Sequence, residues 1–129
     1  MIHDSNVTIQ DLKNLLIEFR DDRGWAKFHD PKNLAEAISI EAAELLELFL
    51  WKTPKEIASS LKSNSALRRA IHEELADVVC FSLSLANSLD VDLSQIVTRK
   101  RKVIRKNIPL PRQEGSRRST ISYGACQRL

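Results

Sequence analysis

SIEAAELLELFLW, residues 39–51, decides how this chain is read. Its apolar residues recur at helical spacing, yet Glu41, Glu44 and Glu47 interrupt them, and no Lys or Arg occurs from Asn33 to Trp51. A helix that is apolar around most of its girth belongs in a core. Carboxylates placed there without counterions are costly, because like charges one turn apart repel and a desolvated anion has lost its water. The combination returns in HEELADVVCF, residues 72–81, where Glu74 and Asp77 repeat the i, i+3 spacing of Glu41 and Glu44 and cations are again missing.

Outward from these two segments the chain reads as helix throughout. Its 129 residues are 43% hydrophobic and 29% charged with three Gly and four Pro, which suits one domain of long elements better than a turn-rich β fold. Thr8 with Asp11 starts a first helix that runs to Arg23, and Gly24 ends it. The loop WAKFHDPKN leads to Asp30-Pro31, the start signal of a second helix continuing to Trp51. Thr53-Pro-Lys-Glu56 is a capping box for a short third helix over 54–61, KSNS is a polar break, and the longest helix spans Asn64 or Ser65 to Leu89. A last helix follows from Leu93 to Lys106, with Asp92 as its cap and Pro109 and Pro111 beyond it. The expected fold is all-α, four to five helices per chain. The second and fourth helices are apolar on more faces than so short a chain can cover, so the bundle is expected to be completed by oligomerisation.

Residues 1–109 form the expected domain, and 110–129 a basic tail without periodicity, expected to be mobile. Charge is split along the chain: net −6 over residues 1–92 and +9 over 93–129. Cys80 and Cys126 make no spaced disulfide framework, no basic leader precedes an apolar run, and no uncharged apolar segment reaches membrane-spanning length. A cytoplasmic protein away from membranes is expected.

Two acid pairs on two mostly apolar helices call for an offset. A hard divalent cation such as Mg²⁺ supplies one, because it takes oxygen ligands and shares its shell with waters and phosphates. The bland alternative is that the acids face solvent or pair with Arg68, Arg69 or Lys52. Trp51 and Phe81 stand seven residues after Glu44 and Glu74, two helical turns or about 10 Å along, roughly the span from a nucleotide's phosphates to its base. Rings there would stack a base, or simply fill the core. Lys100 and its neighbours Arg101, Lys102, Arg105 and Lys106 offer positive charge to a polyphosphate.

With these residues in view, the chain resembles the MazG-like all-α nucleotide pyrophosphohydrolases, most closely their dCTP pyrophosphatase branch, over about residues 8–109. The matching text is FRDDRGWAKFHDPKNLAEAISIEAAELLELFLW, then EELADVVCFSLSLANSLDVDLSQIV, with Lys100 and Pro109. The resemblance implies cleavage of (d)NTP, with dCTP leading, between the α and β phosphorus atoms to give a monophosphate and pyrophosphate. It implies Glu41, Glu44, Glu74 and Asp77 as Mg²⁺ ligands. Glu47 and Glu73 lie close enough in sequence to orient a ligand or accept a proton, or else simply face solvent. Trp25, Phe28, His29, Asn33, Trp51 and Phe81 would line the nucleotide pocket, and Lys100 would face the phosphates. Site-sharing dimers, or pairs of dimers, are implied as well. The sequence departs from the branch at Phe81, where Tyr is usual, and at Ile104 and Ile108, where Asn and Tyr are expected.

Two rivals use the same raw material. A di-iron bundle needs Glu-x-x-His on two helices, and none of His3, His29 or His72 supplies one. A helical interaction module would bind protein or nucleic acid through the basic carboxy-terminal end, without metal and with strong salt dependence.

Overall fold

The computed structural model describes residues 3–108. Five α-helices follow one another: α1 (Ile9–Asp22), α2 (Pro31–Glu47), α3 (Pro54–Ser63), α4 (Ser65–Ser88) and α5 (Leu93–Asn107), with a short 3-10 segment, Trp25–Phe28, between α1 and α2. The described residues contain no strand. The fold is all-α. The Pro109 and Pro111 stops, the tail 110–129 and Cys126 lie outside the described residues.

Capping chemistry explains where the helices begin. At α1 the Thr8 hydroxyl accepts from the Asp11 amide at 3.1 Å, and the Asp11 carboxylate accepts the Thr8 amide at 2.8 Å. Thr53 and Glu56 repeat this box at α3, where the carboxylate accepts the Thr53 amide at 2.7 Å. The bonds from Thr8 and Thr53 hold the Asp11 and Glu56 carboxyls below their usual range. Asp30 accepts from the Lys32 and Asn33 amides to cap α2, with Pro31 at its first position. Asn64 closes α3 and opens α4 at once, its Oδ1 accepting from the Leu67 amide at 3.0 Å, so the expected polar break shrinks to one residue. Arg68 secures that corner by donating to the carbonyls of Leu61 and Lys62.

The second helix ends earlier than its sequence suggests. It stops at Glu47, and the chain tightens through i to i+3 bonds, with Phe49, Leu50 and Lys52 amides donating to the carbonyls of Leu46, Glu47 and Phe49. Trp51 then takes the left-handed conformation at φ 62, and Lys52 Nζ donates to the Leu48 carbonyl at 2.6 Å. An αL residue is how many helices terminate. A tryptophan is an unfavourable occupant, so nothing in LFLW announces the stop.

The chain divides into two compact units, Met1–Leu93 and Ser94–Leu129. In the first, α4 is central: α2 lies along it, and α1 and α3 pack against it. Leu34, Leu83 and Ala86 are its buried apolar residues. Lys13 is buried too; its ammonium donates to the Val91 carbonyl and its own carbonyl accepts from Asn87 Nδ2, each at 3.0 Å. Leu12 and Leu15 of α1 and Leu75 and Val79 of α4 are exposed and line an apolar groove of about 320 Å³. The second unit's described part is mainly α5, with six Lys or Arg, no acid, and exposed Ile96, Val97 and Val103. No helix of the described residues is long and apolar enough to cross a membrane.

Candidate functional site

α2 and α4 bring three carboxylates together. One oxygen from each of Glu41, Glu44 and Glu74 lies within 4.8 Å of the others. The i, i+3 spacing sets Glu41 and Glu44 on one face of α2, and the packing of α2 on α4 supplies Glu74. Asp77, one turn beyond Glu74, falls outside this group, yet its charge acts on both Glu41 and Glu74.

The site is short of positive charge. Arg69 pairs with Glu73 at 3.7 Å, Lys52 is spent on the Leu48 carbonyl, and Arg68 on the end of α3. Among the described residues no cation pairs with Glu41, Glu44, Glu74 or Asp77, so the three counterions considered from sequence serve elsewhere. Burial, then repulsion from Glu44 and Asp77, pushes the Glu41 carboxyl up; burial, then repulsion from Glu44, Glu41, Asp77 and Glu73, does the same to Glu74. A set of converging oxygens with unmet negative charge fits a hard divalent cation. It does not fit a nitrogen- or sulfur-seeking metal, since neither His72 nor Cys80 joins the group.

The other candidates divide into three places. Trp25, Phe28, His29 and Asn33 sit on the 3-10 segment and the start of α2. Trp25 and Phe28 are exposed; His29 Nδ1 donates to the Trp25 carbonyl at 3.0 Å, which orients the ring. Asn33 Nδ2 donates to the Phe28 carbonyl at 3.3 Å. The loop read from sequence is thus a structured turn. Phe81 is half-buried on α4, two turns from Glu74, as the spacing requires. Trp51 is not on its helix: α2 ends four residues before it, so the two-turn spacing from Glu44 does not apply, and the indole is 99% exposed. Glu47 is the last, exposed residue of α2, and Glu73 is held by Arg69. Lys100, Ile104 and Ile108 belong to the second unit.

Sequence reasoning passes over Arg23 and Phe19. Their i, i+4 spacing is the signal, and the structure stacks them, the Arg23 guanidinium carbon 3.5 Å from the ring centroid.

Comparison with known proteins bears on this geometry. Residues 37–120 match the model of the MazG-like family, a span that contains all four acids and Lys100. The chain belongs to the MazG-like family. This MazG-like chain is 38% identical over 112 residues to dCTP pyrophosphatase 1 of Bos taurus, covering 87% of its own length and 66% of the relative's. It is 37% identical over 120 residues to dCTP pyrophosphatase 1 of Homo sapiens, covering 92% and 70%. The chain therefore spans about two thirds of the length of these relatives. The crystal structure of a pyrophosphatase from Archaeoglobus fulgidus superimposes with a TM-score of 0.73 at 38% identity, over 84% of this chain and 99% of that one. The family match begins at Ala37, so the Trp25–Asn33 turn lies outside it.

Proposed function

We propose that this chain is a Mg²⁺-dependent nucleoside triphosphate pyrophosphohydrolase that yields a monophosphate and pyrophosphate, with dCTP the leading substrate. The observation that carries this reading is the convergence of Glu41, Glu44 and Glu74 with no described cation to balance them. The relatives' names, dCTP pyrophosphatase 1 and pyrophosphatase, agree with it.

Glu41, Glu44 and Glu74 are the residues whose oxygens would hold Mg²⁺, with Asp77, whose charge acts on Glu41 and Glu74, as the fourth acid of the set. When bound, such an ion neutralises triphosphate oxygens and lowers the pKa of a coordinated water. The chain's own residues do the remainder. Their electrostatic repulsion in the free site favours whatever brings positive charge, which selects a metal-loaded triphosphate over a bare one. Trp25 and Phe28 offer exposed ring surface to a base, His29 its second ring nitrogen to the base's polar edge, and Asn33 shapes the turn through the Phe28 carbonyl. Phe81 gives stacking surface without a hydroxyl. Trp51 projects fully into solvent, poised to meet a nucleotide bound by this chain or by another copy. Glu47, unpaired by any described cation, is better placed than Glu73 to accept a proton, because Arg69 already occupies Glu73.

The apolar groove between α1 and α4 takes a second copy, giving a homodimer or a pair of dimers. A soluble chain does not leave Leu12, Leu15, Leu75 and Val79 together in water when so few residues are buried. Removal of unwanted nucleotides from the cytoplasmic pool is the corresponding cellular role.

The test is a panel of canonical and modified nucleoside triphosphates, with Mg²⁺ present and withheld, scored for products. Monophosphate and pyrophosphate formed only with metal is the expected result. Release of orthophosphate, or turnover indifferent to metal, defeats the proposal.

A further inference from the structure

Arg23 lies beside two aspartates, Asp21 and Asp22, yet pairs with no described carboxylate; Arg20 takes Asp21 at 2.7 Å. Its guanidinium instead lies against aromatic rings. Nη1 donates to the Phe19 carbonyl at 3.2 Å, and the central carbon is 3.5 Å from the Phe19 centroid and 5.8 Å from that of Trp25. The two rings meet edge to face, their centroids 5.8 Å apart at 77°. Gly24, at φ 63, makes this possible: the chain reverses in the left-handed region, which an L side chain resists, and returns Trp25 to the end of α1. His29 then fixes the far side of the turn through the Trp25 carbonyl.

Such a stack is an odd way to gain stability alone. Phe19 and Trp25 remain 45% and 43% exposed, so the cluster orders the rings without hiding them. A free indole on a surface turn samples several rotamers, and each binding event must freeze it. A guanidinium clamped by its own backbone bond removes that freedom beforehand, because its planar face matches the rings in a way an ammonium does not.

We propose that Arg23 is a positioning residue for nucleotide binding: it holds the Trp25 indole in one orientation, with its remaining surface open to receive a base. The inference rests on the assignment of Trp25 to the nucleotide site. It assigns Arg23 no contact with the triphosphate and no part in the chemical step.

The experiment measures binding of an α,β-imido deoxynucleoside triphosphate by calorimetry in wild type, Arg23→Ala and Arg23→Lys, alongside Mn²⁺ binding without nucleotide. Arg23→Ala is expected to weaken nucleotide binding about two- to tenfold, the cost of freezing one side chain that is no longer held beforehand. Arg23→Lys should recover part of it, Mn²⁺ affinity should stay at the wild-type value, and in turnover KM should rise with kcat held within about twofold. Unchanged nucleotide affinity in Arg23→Ala overturns the inference, and so does a parallel fall in Mn²⁺ and nucleotide affinity, which would mark general disruption. Wild type that binds the analogue but releases no pyrophosphate from substrates defeats the proposed hydrolysis and leaves the role of Arg23 standing. Wild type that binds no nucleotide removes both.

Discussion

Trp51 is a bulky residue held at φ 62 with its side chain 99% exposed. The left-handed region costs an L-residue roughly 1–2 kcal/mol, and Asn is among the few side chains that tolerate it. With no burial to lose, Trp51→Asn should stabilise the protein by about 1 kcal/mol, a rise in Tm of roughly 4 °C for a domain of this size. Trp51→Ala is the control: it keeps most of the backbone cost and removes only the ring, so its stability should stay within about 0.5 kcal/mol of wild type. Urea unfolding followed by circular dichroism measures both, and pyrophosphate release measured on the same samples should fall in both. A more stable, less active Asn variant would show strain kept for function. If Trp51→Asn instead loses more than about 1 kcal/mol, the indole is buried against another surface in solution and the argument from exposure fails.

Glu44→Gln should abolish pyrophosphate release while helical content by circular dichroism is unchanged; retained turnover would remove Glu44 from the metal set. Glu41 and Glu74 are raised above the ordinary 4.5, so the folded chain keeps protons that the unfolded chain has released. Their stabilising contribution is therefore full below about pH 4.5 and is lost as pH rises through the raised values, whereas that of the lowered Asp11 and Glu56 is present at neutral pH and lost as pH falls through theirs. Chelator-treated protein should thus gain thermal stability on moderate acidification from neutrality, and Mg²⁺ should flatten that slope; a slope identical with and without metal would separate the acids from metal binding. Thr53→Ala should cost about 1 kcal/mol in urea unfolding, the usual worth of an N-cap. Leu15→Glu should lower the mass seen by light scattering, and an unchanged mass would place the contact between copies elsewhere.

Much of the backbone was legible because its punctuation is chemical. Thr8 with Asp11, Asp30 with Pro31 and Thr53 with Glu56 each satisfy orphan amides at a helix start, and each stands where its residue types foretell. The end of α2 was not legible, since a left-handed tryptophan defies the residue preferences on which a reading depends. The acids were legible as a group through the absence of Lys and Arg around them. Their division into three close oxygens and an outlying Asp77 was not, because it depends on how far α4 is rotated against α2. The Trp25 turn passed for a loop: a four-residue 3-10 segment is too short to show a period, and its order comes from Arg23 and His29.

The paired bonds between Lys13 and the segment from Asn87 to Val91 link residues 74 and 78 positions apart, while most other side-chain bonds span a single turn. Helix formation and the α3–α4 corner can thus proceed on nearby sequence, and closure of α1 onto the far end of α4 is left as the slow, loop-closing event. A nascent chain emerging from the ribosome would hold α1 idle until the partners of Lys13, 74 and 78 residues further on, were made, with Leu12 and Leu15 open to chaperones throughout.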